Sequence, residues 1–187
     1  APIQRSIMNL DKETGISMMK INEKLDEGPV CNQYSVKISK EMNSEELSEK
    51  LSLLASEKIL DTLDNIYDDN IKFNDQDNSK ATYAKKIQKS EGKINWNENA
   101  DKIIAKINGL YPFPGAFFLF NGERYKILKA EKFHSNGKPG NIISDDFEIC
   151  CGEESIKVLS IQREGKKVQQ IKQFLLGAQI KKGINIA

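Results

Sequence analysis

Ala116-Phe117-Phe118-Leu119-Phe120-Asn121-Gly122-Glu123-Arg124-Tyr125-Lys126-Ile127-Leu128-Lys129-Ala130-Glu131 is the stretch that decides the fold of the second half of this chain. Two runs rich in aromatic and apolar residues flank an Asn-Gly pair. A two-residue type I′ turn needs positive φ at both central positions, which Asn and Gly tolerate, so residues 116–120 and 124–131 are predicted as an antiparallel hairpin. Three further runs, 141–144, 147–151 and 156–162, follow at close spacing, with Asp145-Asp146 as a weaker turn signal. Five short strands so arranged predict a small closed sheet, an OB-like β-barrel or a sandwich. A helix near residues 169–176, ended by Gly177, completes it.

Working upstream, Ile94-Asn95-Trp96 is a short extended piece, and Asn97 or Asn99 caps a helix whose apolar face is Ile103, Ile104 and Ile107, closed by Gly109 and Pro112. Residues 68–80 are polar, rich in turn formers and without periodicity, which marks a linker. Before it, Asn43 and Glu46 form a capping box for a long helix in which Leu47, Leu51, Leu54, Leu60 and Leu63 recur at helical spacing, a face expected to pack on a core. The first segment reads as a helix carrying Pro2 in its first turn and Ile3, Ile7 and Leu10 on one face, then a turn at 11–15 and two strands at 16–21 and 30–38. The fold class expected is therefore α/β followed by β. Its divisions are an α/β unit at 1–67, a linker at 68–92 and a β-barrel unit with helical additions at 93–187.

Charge is distributed unevenly. Residues 1–80 hold 10 Lys/Arg and 16 Asp/Glu, a net of −6, whereas residues 81–187 hold 18 and 11, a net of +7. An acidic half followed by a basic half points to different partners, and the basic half is a candidate for contacting phosphate or simply a solvated lysine-rich surface. Cys31, Cys150 and Cys151 are odd in number and two are neighbours, a poor disulfide framework, so a reduced, cytoplasmic setting is expected. A single His134 and no C-x-x-C leave the usual zinc spacings unassembled, so no metal is expected. No apolar run approaches the ~20 residues of a membrane span. The N-terminus, Ala1-Pro2-Ile3-Gln4-Arg5, has no secretory pattern and reads as a start in mid-protein.

Leu25-Asp26-Glu27-Gly28 is the one chemically suggestive short motif: a carboxylate on a loop between two strands, where open α/β sheets place their chemistry. Beside that reading stands a structural one, in which Asp26 makes an Asx-turn that Gly28 completes. His134, next to Ser135-Asn136-Gly137, reads as a solvated loop histidine. Trp96, Tyr111, Phe113, Phe117 and Phe118 could stack on bases but read as core.

The blocks Ala1-Pro2-Ile3-Gln4-Arg5-Ser6-Ile7, Glu13-Thr14-Gly15-Ile16 and Leu25-Asp26-Glu27-Gly28 resemble the second half of the folate-dependent formyltransferase catalytic domain. Thr82-Tyr83-Ala84-Lys85-Lys86-Ile87, Gly92-Lys93-Ile94-Asn95-Trp96, Pro112-Phe113-Pro114-Gly115-Ala116 and Gln162-Arg163-Glu164-Gly165-Lys166-Lys167 are similar to blocks of the C-terminal domain of the methionyl-tRNA formyltransferase family. The resemblance implies a Rossmann-like domain cut at its C-terminal part, then an OB-like tRNA-binding domain. The reaction it implies is formyl transfer from 10-formyltetrahydrofolate to the methionyl amine of initiator tRNA, without a metal. Asp26 matches the family's catalytic Asp. The family's Asn and His belong to segments preceding the block at Ala1, so the chain alone is expected to be inactive. The resemblance further implies that Lys24, Leu25, Glu27 and Gly28 form one wall of the folate pocket. Lys85, Lys86, Lys89, Arg124 and Lys126 are expected to contact tRNA. A monomer without membrane attachment is expected. The rivals are a sugar-nucleotide amine formyltransferase and a non-catalytic tRNA-binding module.

Overall fold

The computed structural model describes residues 1–187. Helix α1 spans Pro2–Met8, with Pro2 in the first turn where its missing N–H costs nothing, and Leu10 beyond it takes φ 60°. Strands β1, Glu13–Met19, and β2, Val30–Lys37, form a two-stranded antiparallel ribbon with Ile16 opposite Tyr34. The first strand thus begins earlier than expected, because Glu13, Thr14 and Gly15 pair with Lys37, Val36 and Ser35 instead of turning. Gly15 permits this: a Cβ there would stand 2.3 Å from the Tyr34 carbonyl oxygen.

Helix α2, Ser44–Tyr67, starts as its sequence predicts, with the Asn43 side chain accepting from the Glu45 and Glu46 N–H groups and Glu46 accepting from the Asn43 N–H. Its apolar stripe is only half used. Leu47 and Leu51 are buried with Ile7 and Val36, whereas Leu60 is 66% and Leu63 52% exposed. The 24-residue helix is roughly 36 Å long at 1.5 Å per residue and overruns the short ribbon and α1 that it packs on.

The polar segment that follows leads through short 3-10 turns at Asn78–Lys80 and Lys89–Gly92 to α3, Ala100–Gly109, capped by Asn99, whose side chain accepts from the Lys102 N–H. Strands β3, Ala116–Phe120, and β4, Glu123–Phe133, make the expected hairpin, and Asn121 and Gly122 take φ 51° and 77° as a type I′ turn demands. With β5, Glu148–Cys150, β6, Ser155–Arg163, and the two-residue β7, Gln169–Gln170, they form a five-stranded antiparallel sheet ordered β3-β4-β6-β5, with β7 also on β6. Helix α4 spans Ile171–Leu175.

The pairing does not return from β5 to β3, so this sheet is curled but open where a closed one was expected. The expected strand at 141–144 is two single bridges, Asn141 to Asn185 and Ile142 to Ile149, that edge the sheet beside β5. Inside the curl lies a core of 20 buried residues, among them Trp96, Ile103, Phe118, Ile127, Phe147 and Ile161. The two halves pack on each other through α1 and α3. There Gly109 admits α1 so closely that a Cβ would meet the Met8 side chain at 2.6 Å. Asn108 Nδ2 donates to the Lys40 carbonyl and Ser44 Oγ to that of Tyr111, closing the same seam.

Candidate functional site

The loop between β1 and β2 is a pinched finger. At its base the Lys20 N–H donates to the Pro29 carbonyl at 3.0 Å. Gly28 is pressed so closely to Lys20 that a Cβ would lie 1.7 Å from the Lys20 carbonyl oxygen, a contact only glycine allows. The tip is turned by Asn22, whose side chain accepts from the Lys24 N–H at 3.0 Å, so the Asx-turn expected at Asp26 belongs to Asn22. Asp26 itself sits at φ 60° on the exposed rim, Leu25 is 88% exposed, and Lys24 Nζ pairs with Glu27 Oε2 at 3.3 Å. The motif therefore presents a carboxylate outward on a constrained backbone.

One contact there carried no signal in the sequence. Gln76, from the polar segment after α2, donates through Nε2 to the carbonyl oxygens of Asp26 and Gly28 at 2.8 and 2.7 Å. Next to it, Val30 and Asn74 exchange backbone hydrogen bonds of 2.8 and 2.9 Å, and Lys20 Nζ lies 4.1 Å from the centre of the Phe73 ring. The segment that reads as a free linker is strapped to the finger. His134 is not part of this arrangement: its Nδ1 faces Glu154 Oε1 at 2.9 Å in the other half, and its side chain is solvated as expected.

Farther along, the same segment carries Lys85, Lys86 and Lys89, all exposed. It too is tied down, because Arg5 Nε donates to the Lys85 carbonyl at 3.0 Å while its two other nitrogens grip both oxygens of Glu91 at 2.7 and 3.1 Å. The 3-10 turn holding Lys89 then lands on the hairpin, where Gly92 lies against the Gly115 carbonyl and the Phe117 ring. Lys126 is directly opposite Phe117 and Arg124 opposite Leu119, so Arg124 and Lys126 share the outer face of the sheet as their spacing implies.

Both are engaged. The Arg124 guanidinium lies over the Phe117 ring at 5.6 Å and pairs with Glu164 at 2.7 Å, and Lys126 Nζ lies over Phe113 at 5.8 Å. Burial, and then the charge of Arg124, hold the Lys126 ammonium below its ordinary pKa. Of the aromatics expected in the core, Trp96 and Phe118 are buried, but Phe113 is 68% exposed and forms part of this cationic face. It lies between Pro112 and Pro114, in the turn that leads into β3. The structure thus gathers Lys89, Arg124 and Lys126 around the β3–β4 hairpin, with Lys85 and Lys86 on the approach.

Ligand-sized cavities lie away from the finger. One of about 600 Å³ opens at the hairpin mouth among Tyr125, Arg163, Lys166 and Phe174, and one of about 630 Å³ lies between α1 and the segment bearing Lys85 and Lys86. No group of three or more His, Cys, Asp or Glu side chains is placed to hold a metal ion. No helix is long and apolar enough to cross a membrane.

Comparison with known proteins adds the following. The family model for the formyl transferase domain matches residues 1–63, and that for the formyl transferase C-terminal domain matches residues 86–179. A methionyl-tRNA formyltransferase of Pelagibacter ubique (strain HTCC1062) is 61% identical over 187 residues, which are 100% of this chain and 60% of that protein. The chain thus spans about three-fifths of the length of the curated relatives it matches. Among solved structures, HypX from Aquifex aeolicus in complex with tetrahydrofolic acid superposes with a TM-score of 0.71 at 15% identity, over 96% of this chain and 33% of that one. An N-formyltransferase from Helicobacter canadensis, in complex with folinic acid and dTDP-3-aminofucose, gives a TM-score of 0.67 at 18% identity, over 83% of this chain and 59% of that one.

Proposed function

Because this chain belongs to the formyl transferase family, we propose that it is the C-terminal portion of an enzyme that moves a formyl group from 10-formyltetrahydrofolate to the amine of initiator methionyl-tRNA. The observation that carries this reading is the 61% identity, over all 187 residues, to a protein named for that reaction. The sugar-nucleotide reading has weaker support, since a neighbour whose structure holds an amino-sugar nucleotide shares only 18% identity. We divide the chain into an α/β unit at 1–67, a linker at 68–92 and an OB-like unit at 93–187, whose curled sheet offers its β3–β4 face to RNA.

Formyl transfer passes through a tetrahedral oxyanion, so the site needs donors for that oxygen and a base for the attacking amine. An ionised carboxylate cannot donate to an oxyanion. Asp26 therefore acts by orienting and polarising an imidazole, as the Asp of a Ser-His-Asp triad does. By the family resemblance that imidazole, and the Asn beside it, come from sequence preceding Ala1. Lys24, Leu25, Glu27 and Gly28 supply one wall for the pterin, with the finger's backbone groups facing the ring. No metal takes part in this scheme. Lys85, Lys86, Lys89, Arg124 and Lys126 hold the tRNA by its phosphates. The three cysteines are free thiols, which suits the reducing cytoplasm where initiator tRNA is charged.

The decisive experiment is a chimera in which the preceding catalytic segment of a curated relative is joined to this chain. It should formylate charged initiator tRNA in the presence of 10-formyltetrahydrofolate and leave an amino-sugar nucleotide untouched. Formylation of the sugar alone would move the assignment to the rival reaction, and tRNA binding by an inactive chimera would leave only a binding module.

A further inference from the structure

We propose that Gln76 is a positioning residue: a latch thrown from the linker onto the Asp26 finger that holds the carboxylate in register and makes the linker part of the catalytic apparatus. The inference rests on the reading of Asp26 given above. It starts from geometry. The β1–β2 finger is a two-stranded ribbon with no third strand over its tip, and such ribbons are marginal alone. Between Lys20 and Pro29 a single backbone hydrogen bond, at the base, closes it. Asp26 occupies a positive φ of 60°, a region uncommon outside glycine that Asp tolerates better than most residues.

The contact that reaches the finger from outside is the Gln76 amide. Its two N–H groups are both spent on the finger, one on the carbonyl of Asp26 and one on that of Gly28, at 2.8 and 2.7 Å. Two carbonyls facing one amide group fix which end is nitrogen, because an oxygen there would meet two acceptors. A bridge between the carbonyls of residues 26 and 28 restrains the backbone of Glu27 and Gly28 and fixes the peptide plane that leaves Asp26. The latch is in turn anchored: Val30 and Asn74 exchange two backbone hydrogen bonds two residues before it, and Phe73 lies against Lys20. Gln76 thus arrives at the finger on a short, fixed tether; its side chain is exposed overall, and its amide nitrogen also approaches Met19 Sδ at 4.0 Å.

A second tie gives the arrangement a consequence. The linker that ends at Gln76 on one side is clamped at the other by Arg5 to the Lys85 carbonyl and to Glu91. Lys85, one of the lysines read as tRNA contacts, sits at this second tie, and Lys86 follows it. Eight residues, 77–84, separate Gln76 from Lys85, so the latch and these lysines belong to one short stretch of chain fastened at both ends. Gln76 therefore acts on Asp26 from the segment that also carries Lys85 and Lys86.

Two variants test this. Gln76→Met keeps the length and removes both donors; Gln76→Glu keeps the shape and turns a carboxylate toward two carbonyl oxygens. Hydrogen exchange of the backbone amides at residues 20–29 is followed in the present chain, and formylation kinetics in the chimera. Faster exchange confined to the finger is expected in both variants, with kcat down by about 10- to 100-fold, the loss that a misplacement near 1 Å produces, and KM for tRNA unchanged. Global loss of protection would mark Gln76 as a stability residue and overturn the proposal. So would finger exchange equal to wild type, or a fall in kcat without faster exchange, or a rise in KM alone. Were the wild-type chimera itself inactive, the reading of the reaction would fail while the exchange arm still decided whether the latch exists.

Discussion

Arg5 and Glu91, 86 residues apart, meet in a two-pronged ion pair with N–H···O distances of 2.7 and 3.1 Å. Glu91 Oε1 also accepts the Gln88 N–H at 2.7 Å, so one carboxylate caps a 3-10 turn and fastens it to α1. The Arg5 hydrogen bond first, and the Gln88 N–H second, hold Glu91 below its ordinary pKa of 4.5.

A carboxyl whose pKa is depressed on folding contributes stability above its unfolded pKa and loses it as pH falls through the folded value. Glu91→Gln should therefore destabilise the chain near neutral pH by about 1 kcal/mol, discounted because both partners are partly solvated. The difference from wild type should close as pH is lowered from about 5 toward the lowered pKa of Glu91. Thermal melts of both proteins across that range are the measurement. A gap that persists unchanged in acid would mean that Glu91 acts through packing.

The same clamp sharpens an expectation about proteolysis. By composition alone, Lys80, Lys85, Lys86 and Lys89 are equivalent trypsin sites. In the structure the Lys85 carbonyl, the one a protease must attack, accepts from Arg5, whereas Lys80 lies on an exposed 3-10 turn paired only with Asp77. Limited digestion should cut first after Lys80, and Arg5→Ala should bring cleavage after Lys85 and Lys86 forward by severalfold. A first cut within residues 103–120 would contradict the packing described.

What was legible in the sequence was local. The Asn121-Gly122 turn and the Asn43 capping box each rest on a few adjacent residues and stand in the structure as read, and of the two candidate caps, Asn97 and Asn99, the helix uses Asn99. The long-range ties were not legible. Gln76 sits in a run of Asn, Asp and Ser that carries no periodicity, and nothing in that run says which amide meets a loop 50 residues earlier. Arg5 belongs to the block at residues 1–7, and nothing in that block points to Glu91, 86 residues away. The half-used stripe of α2 failed for a related reason: periodicity reports which face is apolar, not whether anything in this chain covers it. The open sheet is a matter of pairing between its edge strands, which strand propensity does not encode.

Asp26 yields a prediction in two arms. The chain by itself should show no formylation above background in a single-turnover assay, since it holds one carboxylate of the site and no imidazole beside it. In the chimera, Asp26→Asn preserves shape but removes the charge that stabilises the imidazolium. A fall in kcat on the order of 10²-fold or more is expected with little change in tRNA affinity. Loss of affinity with turnover intact would make Asp26 a binding residue instead.

On the proposed reading, the face bearing Lys85, Lys86, Lys89, Arg124 and Lys126 should bind tRNA by charge, and its members should not contribute alike. Lys85, Lys86 and Lys89 are exposed and free of carboxylate partners within 4.0 Å, so each can displace a counterion from phosphate at little cost. Arg124 is already paired with Glu164 and stacked on Phe117, and must exchange one partner for another. If roughly three to five phosphates are neutralised, log K for the chain and tRNA should fall with log[salt] at a slope of about −2 to −4. Reversing the charge at Lys85, Lys86 and Lys89 together should weaken binding to initiator and elongator tRNA alike and flatten that slope, because phosphate contacts carry no sequence information. Arg124→Ala should cost less affinity, since removing it frees Glu164 only into solvent, where its side chain is already 56% exposed. The measurement is a salt titration of wild type and both variants on the two tRNAs. A salt-independent affinity, or a triple variant that loses initiator tRNA only, would show that this face reads its ligand by specific contacts and that charge is incidental.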